Sequence, residues 1–141
     1  MGQIYSLTSD EAEEVMAAAI KKLKGMGKRA SVSIVNHART EIAKAVMDGV
    51  RPFTARVAFM KASQAAYTGK TTSKTAKEVK DGDKALGVIG ISPNDFVEWA
   101  GGAPIYDNEN RLLGGIGISN LDPKEDAEVA ESAVFEAGFK L

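Results

Sequence analysis

Cysteine is absent from all 141 residues, which excludes disulfides, thiolate nucleophiles and Cys-held zinc or iron-sulfur clusters. Histidine occurs once, at His37, so no histidine pair is available to a metal and a Ser-His-Asp triad has a single candidate base. Net charge is nearly lacking too: 18 Lys and Arg stand against 19 Asp and Glu, with the bases scattered rather than gathered in a stripe, which argues against nucleic acid as a partner. Long apolar runs are missing. The opening MGQIYSLTSDEAEEV has no basic run followed by an apolar stretch, and no later window approaches a spanning length, so we expect a cytoplasmic protein with neither signal peptide nor membrane association.

What is present fits one domain over residues 1–141, large enough to bury a core without covalent staples. From Leu7 to Gly27 apolar residues recur at helical spacing (Ala12, Val15, Met16, Ala19, Ile20, Leu23), with Ser9 or Asp10 as a cap and Gly25 or Gly27 as a stop. The period then becomes two in ASVSIVN (30–36) and EIAKAVMD (41–48), a hairpin whose turn holds His37 to Thr40. Arg51-Pro52 opens a helix through Tyr67 in which Ala55, Ala58, Ala62, Ala65 and Ala66 permit close packing. A short helix over 72–79 precedes a Gly/Pro-punctuated segment, GVIGISPNDFVEWAGG. Two further strands, 103–106 and 112–119, flank an Asp107-Asn108-Glu109-Asn110 turn, and Asp122, Pro123 and Glu125 predict a capped C-terminal helix. Hairpins in place of strand-helix-strand alternation predict an α+β fold, an antiparallel sheet of about five strands flanked by helices.

The stretch GGAPIYDNENRLLGGIGIS invites a phosphate-loop reading. A dinucleotide fingerprint, however, needs its third glycine and a following helix and strand; Asn120 stands where the glycine belongs, and only one helix remains before Leu141. Alternation explains the glycines better. Leu112, Gly114, Ile116 and Ile118 share one face, leaving Leu113, Gly115, Gly117 and Ser119 on a nearly bare one. Ser31 and Ser33 opposite Val32 and Ile34, and Ala43 and Ala45 opposite Ile42 and Val46, predict the same asymmetry in the hairpin. Something must approach that side closely: the Ala-rich helix, a second subunit or a flat ligand.

Few residues carry chemistry. His37 is an exposed turn residue or a ligand or acid/base at a pocket mouth, and Arg39 beside it can hold a carboxylate. Asp81-Gly82-Asp83 reads as a turn, because calcium-loop spacing does not follow. Glu98 next to Trp99 is a candidate general acid if buried, or a solvated carboxylate beside a core tryptophan. Lys61 lies near the alanine stripe, where its ammonium either snorkels to water or faces a cleft.

The ordered set Met47-Asp48-Gly49, Lys61-Ala62, Ala65-Ala66, Gly101-Gly102-Ala103-Pro104-Ile105, Gly114-Gly115-Ile116-Gly117-Ile118-Ser119 and Asp126-Ala127 with Ala130 resembles the haem-degrading, or glycolate-operon protein, family. The resemblance implies a profilin-like or sensor-like sandwich, a homo-oligomer, a place in a catabolic operon, and haem or another tetrapyrrole as ligand. In place of the family's Asp-x-Gly-Gly-His stretch the chain has Asn36-His37-Ala38-Arg39-Thr40, so Thr40 holds the usual histidine position and Arg39 adds a charge suited to an anion. The expected function is small-molecule binding through Arg39, Thr40, Lys61, Trp99, Gly102, Gly115 and Gly117. The alternatives are an isomerase or lyase acting on an anionic metabolite, with Glu98 and His37 moving protons, and an accessory structural subunit. No metal site is expected.

Overall fold

A computed structural model describes residues 2–81 and 97–141; the greater part of the Gly/Pro-punctuated segment, and Gly82-Asp83 of the expected turn, lie outside them. In chain order the elements are α1 (Ser9–Gly25), β1 (Ser31–Asn36), β2 (Glu41–Val46), α2 (Thr54–Thr68), α3 (Thr72–Lys80), β3 (Gly102–Tyr106), β4 (Leu112–Ser119) and α4 (Pro123–Glu136). The strands pair antiparallel throughout, in the order β2-β1-β4-β3. The fold is α+β, with four described strands rather than about five.

Two helical layers cover the sheet. On one face Val32, Ile34, Ala103, Ile105, Ile116 and Ile118 pack against the apolar stripes of α1 (Ala12, Val15, Ala19, Leu23) and α4 (Val129, Ala130, Ala133, Val134). On the other lies α2. A Cβ added at Gly115 would stand 2.5 Å from the Ala62 carbonyl oxygen and 3.0 Å from the Ala66 nitrogen, and one at Gly117 would collide with the Ala58 carbonyl. Bare strand and Ala-rich helix are therefore two halves of one contact, in which each side has given up bulk so that backbone meets backbone.

The register of β2 corrects the sequence reading. Ala45 lies opposite Val32 and Ala43 opposite Ile34, and directly opposed residues point to the same face, so these alanines join the bulky side. The smooth side is instead built by β1, β4 and β3: Ser33 opposite Gly117, Ser31 opposite Ser119, and Gly102 opposite Gly117. Lys44, opposite Ser33 but on the edge strand β2, keeps its charge in solvent.

Helix ends differ in detail too. Thr8, not Ser9 or Asp10, caps α1: its hydroxyl accepts the Glu11 N–H at 3.1 Å while Glu11 Oε1 accepts the Thr8 N–H at 2.9 Å, a reciprocal capping box. Asp122 and Pro123 begin α4 as expected, yet the Asp122 side chain makes no capping bond. Asp126 accepts the Leu121 N–H instead, at 3.1 Å.

Candidate functional site

Four connections meet at the end of the sheet where β1 and β3 begin and β4 stops. They are α1–β1, β2–α2, the stretch 97–101 and β4–α4, and between them opens a cleft of about 800 Å³, within the usual range for small-molecule sites. Arg51 ties two of them together. Its N–H and Nε both donate to Asn120 Oδ1, at 3.0 and 3.2 Å, and its Nη2 donates to the Asn120 carbonyl at 3.1 Å. Asn120 Nδ2 in turn donates to the Arg29 carbonyl at 2.9 Å, joining the third.

This corner holds strained backbone. Phe53, at the α2 N-cap, has φ +73° and leaves its ring 79% exposed, while Asn120 has φ +133°. Such conformations persist where surroundings over-determine them, and they cluster at ligand sites. Below Phe53, Thr54 donates its hydroxyl to the Arg51 carbonyl at 2.9 Å, so the buried Ser31 hydroxyl must be the donor in their 2.9 Å contact. Among the described residues neither Arg29 nor Arg51 forms an ion pair; Arg29 Nη1 donates only to the Asp48 carbonyl, at 3.3 Å. Two guanidinium groups thus stand at the cleft with neutral hydrogen-bond partners, and the Arg51 charge also acts on the Asp126 carboxyl.

The floor is a buried ion pair. Lys61, 2% exposed, donates from Nζ to Asp126 Oδ2 at 3.0 Å and to the Ile118 carbonyl at 2.8 Å. Burial pushes the lysine pKa down against the pull of the Asp126 charge, and burial pushes the Asp126 carboxyl up against the pull of Lys61. Lys61 therefore neither snorkels to water nor offers a free ammonium; it locks α2 to α4. Gly101, at φ +124°, lies against this pair, where a Cβ would stand 2.7 Å from Lys61 Nζ.

The expected site residues fall into three groups. Lys61 and Trp99 line the cleft, but Trp99 is not in the core: Val97 takes the buried position, and Trp99 is 54% exposed beside an exposed Glu98. His37, Arg39 and Thr40 stand at the opposite end of the sheet, separated by the six residues of β1, about 17 Å at ~3.3 Å per residue. There the His37 N–H donates to Ser6 Oγ at 3.0 Å, Asn36 Oδ1 accepts the Ala38 and Thr40 N–H groups at 3.1 Å each, and Arg39 lies 4.9 Å over the Tyr67 ring. The third group is Gly102, Gly115 and Gly117. Against the expectation of ligand contact, all three are packed under α2: a Cβ at Gly102 would stand 2.5 Å from the Lys61 carbonyl oxygen and 2.6 Å from Thr72 Cγ2.

Sequence reasoning missed Arg51, Phe53, Asn120 and the role of Asp126. The last had a signal: Asp126, Val129, Ala130 and Ala133 follow one stripe of α4, so a carboxylate on that stripe calls for a buried cation. The others had none, because they meet only through tertiary contacts.

The family model for the haem degrading protein HbpS-like group matches residues 7–135. Similar solved structures include a Klebsiella pneumoniae protein designated ORFY, 21% identical, covering 97% of this chain and 94% of that one at TM-score 0.88. A PduOC:heme complex is 22% identical, with coverage of 95% and 96% and TM-score 0.85. A double mutant of Streptomyces reticuli HbpS is 24% identical, with coverage of 96% and 89% and TM-score 0.84. These likenesses establish the shared fold. No match is found among curated protein sequences. Among the described residues no helix is long and apolar enough to cross a membrane.

Proposed function

We propose, for a chain that belongs to the HbpS-like haem-degrading family, that it binds a flat, carboxylate-bearing tetrapyrrole of the haem class in the cleft between Arg51, Phe53 and Trp99. The observation that carries this reading is the pairing of two exposed aromatic rings, one on strained backbone, with two arginines that form no direct ion pair among the described residues. Aromatic rings supply apolar surface for a macrocycle face, and guanidinium groups match its peripheral carboxylates in a bidentate way. Arg51 Nη1 makes no hydrogen bond among the described residues, so it is available for that purpose. The heme-complexed relative supports the ligand class.

The donor set decides how a haem would be held. None of the described residues lining the cleft is His, Cys, Met or Tyr, and the only imidazole lies beyond the far end of β1. Faces and carboxylate edges therefore carry the binding, and iron, when present, supplies its redox chemistry without a ligand from His37. Glu98 and His37, at different ends of the sheet, form no acid/base pair, which sets the isomerase or lyase reading second. We further propose that the chain acts as a single-domain homo-oligomer, for which light scattering in solution is the check.

The test is a paired titration with haem and with metal-free protoporphyrin, following the Soret band and quenching of the single tryptophan. Both ligands are expected to bind with similar affinity, unchanged by His37→Ala and weakened about tenfold by Arg51→Ala or Phe53→Ala. Binding of haem alone, abolished by His37→Ala, overturns the cleft assignment; binding of neither overturns the ligand class.

A further inference from the structure

Behind the cleft lies a buried polar chain that touches no candidate ligand. Gln64 is 2% exposed on α2, and both ends of its amide are engaged: Oε1 accepts the Val97 N–H at 2.7 Å, and Nε2 donates to Thr75 Oγ1 at 2.7 Å. The Thr75 hydroxyl in turn donates to the Thr72 carbonyl at 3.2 Å, and Thr72 Oγ1 accepts the Gly102 N–H at 2.8 Å. A backbone N–H can only donate, so the amide has one workable orientation. Residues 97 and 102 are thus fastened to the α2–α3 layer from below, and the stretch between them, which carries Trp99, crosses the gap without regular hydrogen bonding of its own.

We infer that Gln64 is a positioning residue for the cleft: it holds Val97 in the interior and so presents Trp99 as a fixed wall, an inference that rests on the tetrapyrrole reading only for its effect on affinity. Its chemistry suits the task. A neutral amide satisfies a donor and an acceptor in a buried place without the cost of a charge, and a satisfied buried network fixes one geometry. Among the described residues the fastenings around Trp99 are Gln64 to Val97, Thr72 to Gly102, and the Ile118 N–H to the Gly101 carbonyl at 2.8 Å. Only the first lies on its N-terminal side among the described residues. Removing it leaves Val97 without a hydrogen-bonded anchor among the described residues.

The experiment uses the full chain, in which Trp99 is the sole tryptophan. Gln64→Met keeps length and removes both bonds, whereas Gln64→Glu, protonated in that buried place at mildly acidic pH, keeps an acceptor for Val97 and a donor for Thr75. In ligand-free protein Gln64→Met is expected to change the acrylamide quenching constant of Trp99, and Gln64→Glu to restore it at low pH. Protoporphyrin affinity should fall about threefold to tenfold in Gln64→Met, the cost of ordering the freed wall. Wild-type quenching in a folded Gln64→Met chain overturns the inference, even if its urea midpoint drops. Should that variant not fold, Gln64→Asn, which keeps a buried amide but is one methylene too short to span from Val97 to Thr75, carries the same test with the same refuting result. Failure of wild-type protein to bind any porphyrin would sink the ligand proposal alone, because quenching in the free protein still decides the role of Gln64.

Discussion

Gly117→Ala should unseat α2 from the sheet. The added methyl would meet the Ala58 carbonyl first and then the Ala62 nitrogen at 2.7 Å; both are helix backbone, which cannot swing aside as a side chain can. Relief requires α2 to lift by roughly 1 Å, a gap that forfeits about a quarter to a half of the dispersion energy along the contact. Overpacking of this sort costs about 1–3 kcal/mol, and a backbone obstacle puts the site at the upper end. Replacing glycine by alanine returns about 0.5–1 kcal/mol of chain entropy, leaving a net loss of about 2 kcal/mol. With an m-value of about 2 kcal/mol per molar urea, the midpoint should fall by about 1 M. Gly25→Ala is the control: nothing lies within 4 Å of its added methyl, and the better helix former should hold the midpoint or raise it. A Gly117→Ala midpoint equal to or above wild type would refute the account of the glycine strand.

Two more predictions concern the buried pair. Lys61→Met strands the Asp126 carboxylate in the interior and should cost about 3–5 kcal/mol, while Lys61→Met with Asp126→Asn removes both charges, keeps an acceptor for the Leu121 N–H and should recover most of the loss; urea unfolding of the two variants decides, and equal instability would contradict the pairing. The pH dependence of wild type minus that double variant has a defined sign. Asp126 titrates above its unfolded value of 3.8, so in that window the folded state holds the extra proton and stability falls as pH rises; Lys61 titrates below 10.5, so in its window the unfolded state holds it and stability climbs with pH. The difference curve should dip between the two windows, and a maximum there would reverse the assignment.

The parts legible in the sequence were those written locally. Alternation in LLGGIGIS and alanine at Ala58, Ala62 and Ala66 are short-range patterns, and they specified the bare strand and its helix without knowledge of either position in space. The register of β2 was not legible, because a shift of one residue moves Ala43 and Ala45 to the other face, and the sequence of the strand alone is compatible with both. The cleft was hidden for another reason. Arg51 reaches Asn120 across 69 positions, and Asn120 reaches Arg29 across 91. No window of residues contains such a site.

One part of the site was nevertheless recoverable from order alone. In an antiparallel sheet each element that crosses the molecule carries the chain to the other end. The α1–β1 connection and β2–α2 lie at one end; the β1–β2 turn with His37 lies at the other, as do Gly69, whose carbonyl accepts from the Tyr106 hydroxyl at 2.7 Å, and the β3–β4 turn. β3 and β4 run out to that turn and back, so Trp99, before β3, and Asn120, after β4, stand at the end where Arg51 does. The parity of crossings thus separates His37 from Lys61 and Trp99, whatever the side chains do. A haem ligated by His37 must sit at the β1–β2 turn, away from Phe53 and Arg51, and the insensitivity of cleft binding to His37→Ala follows from topology before any contact is considered.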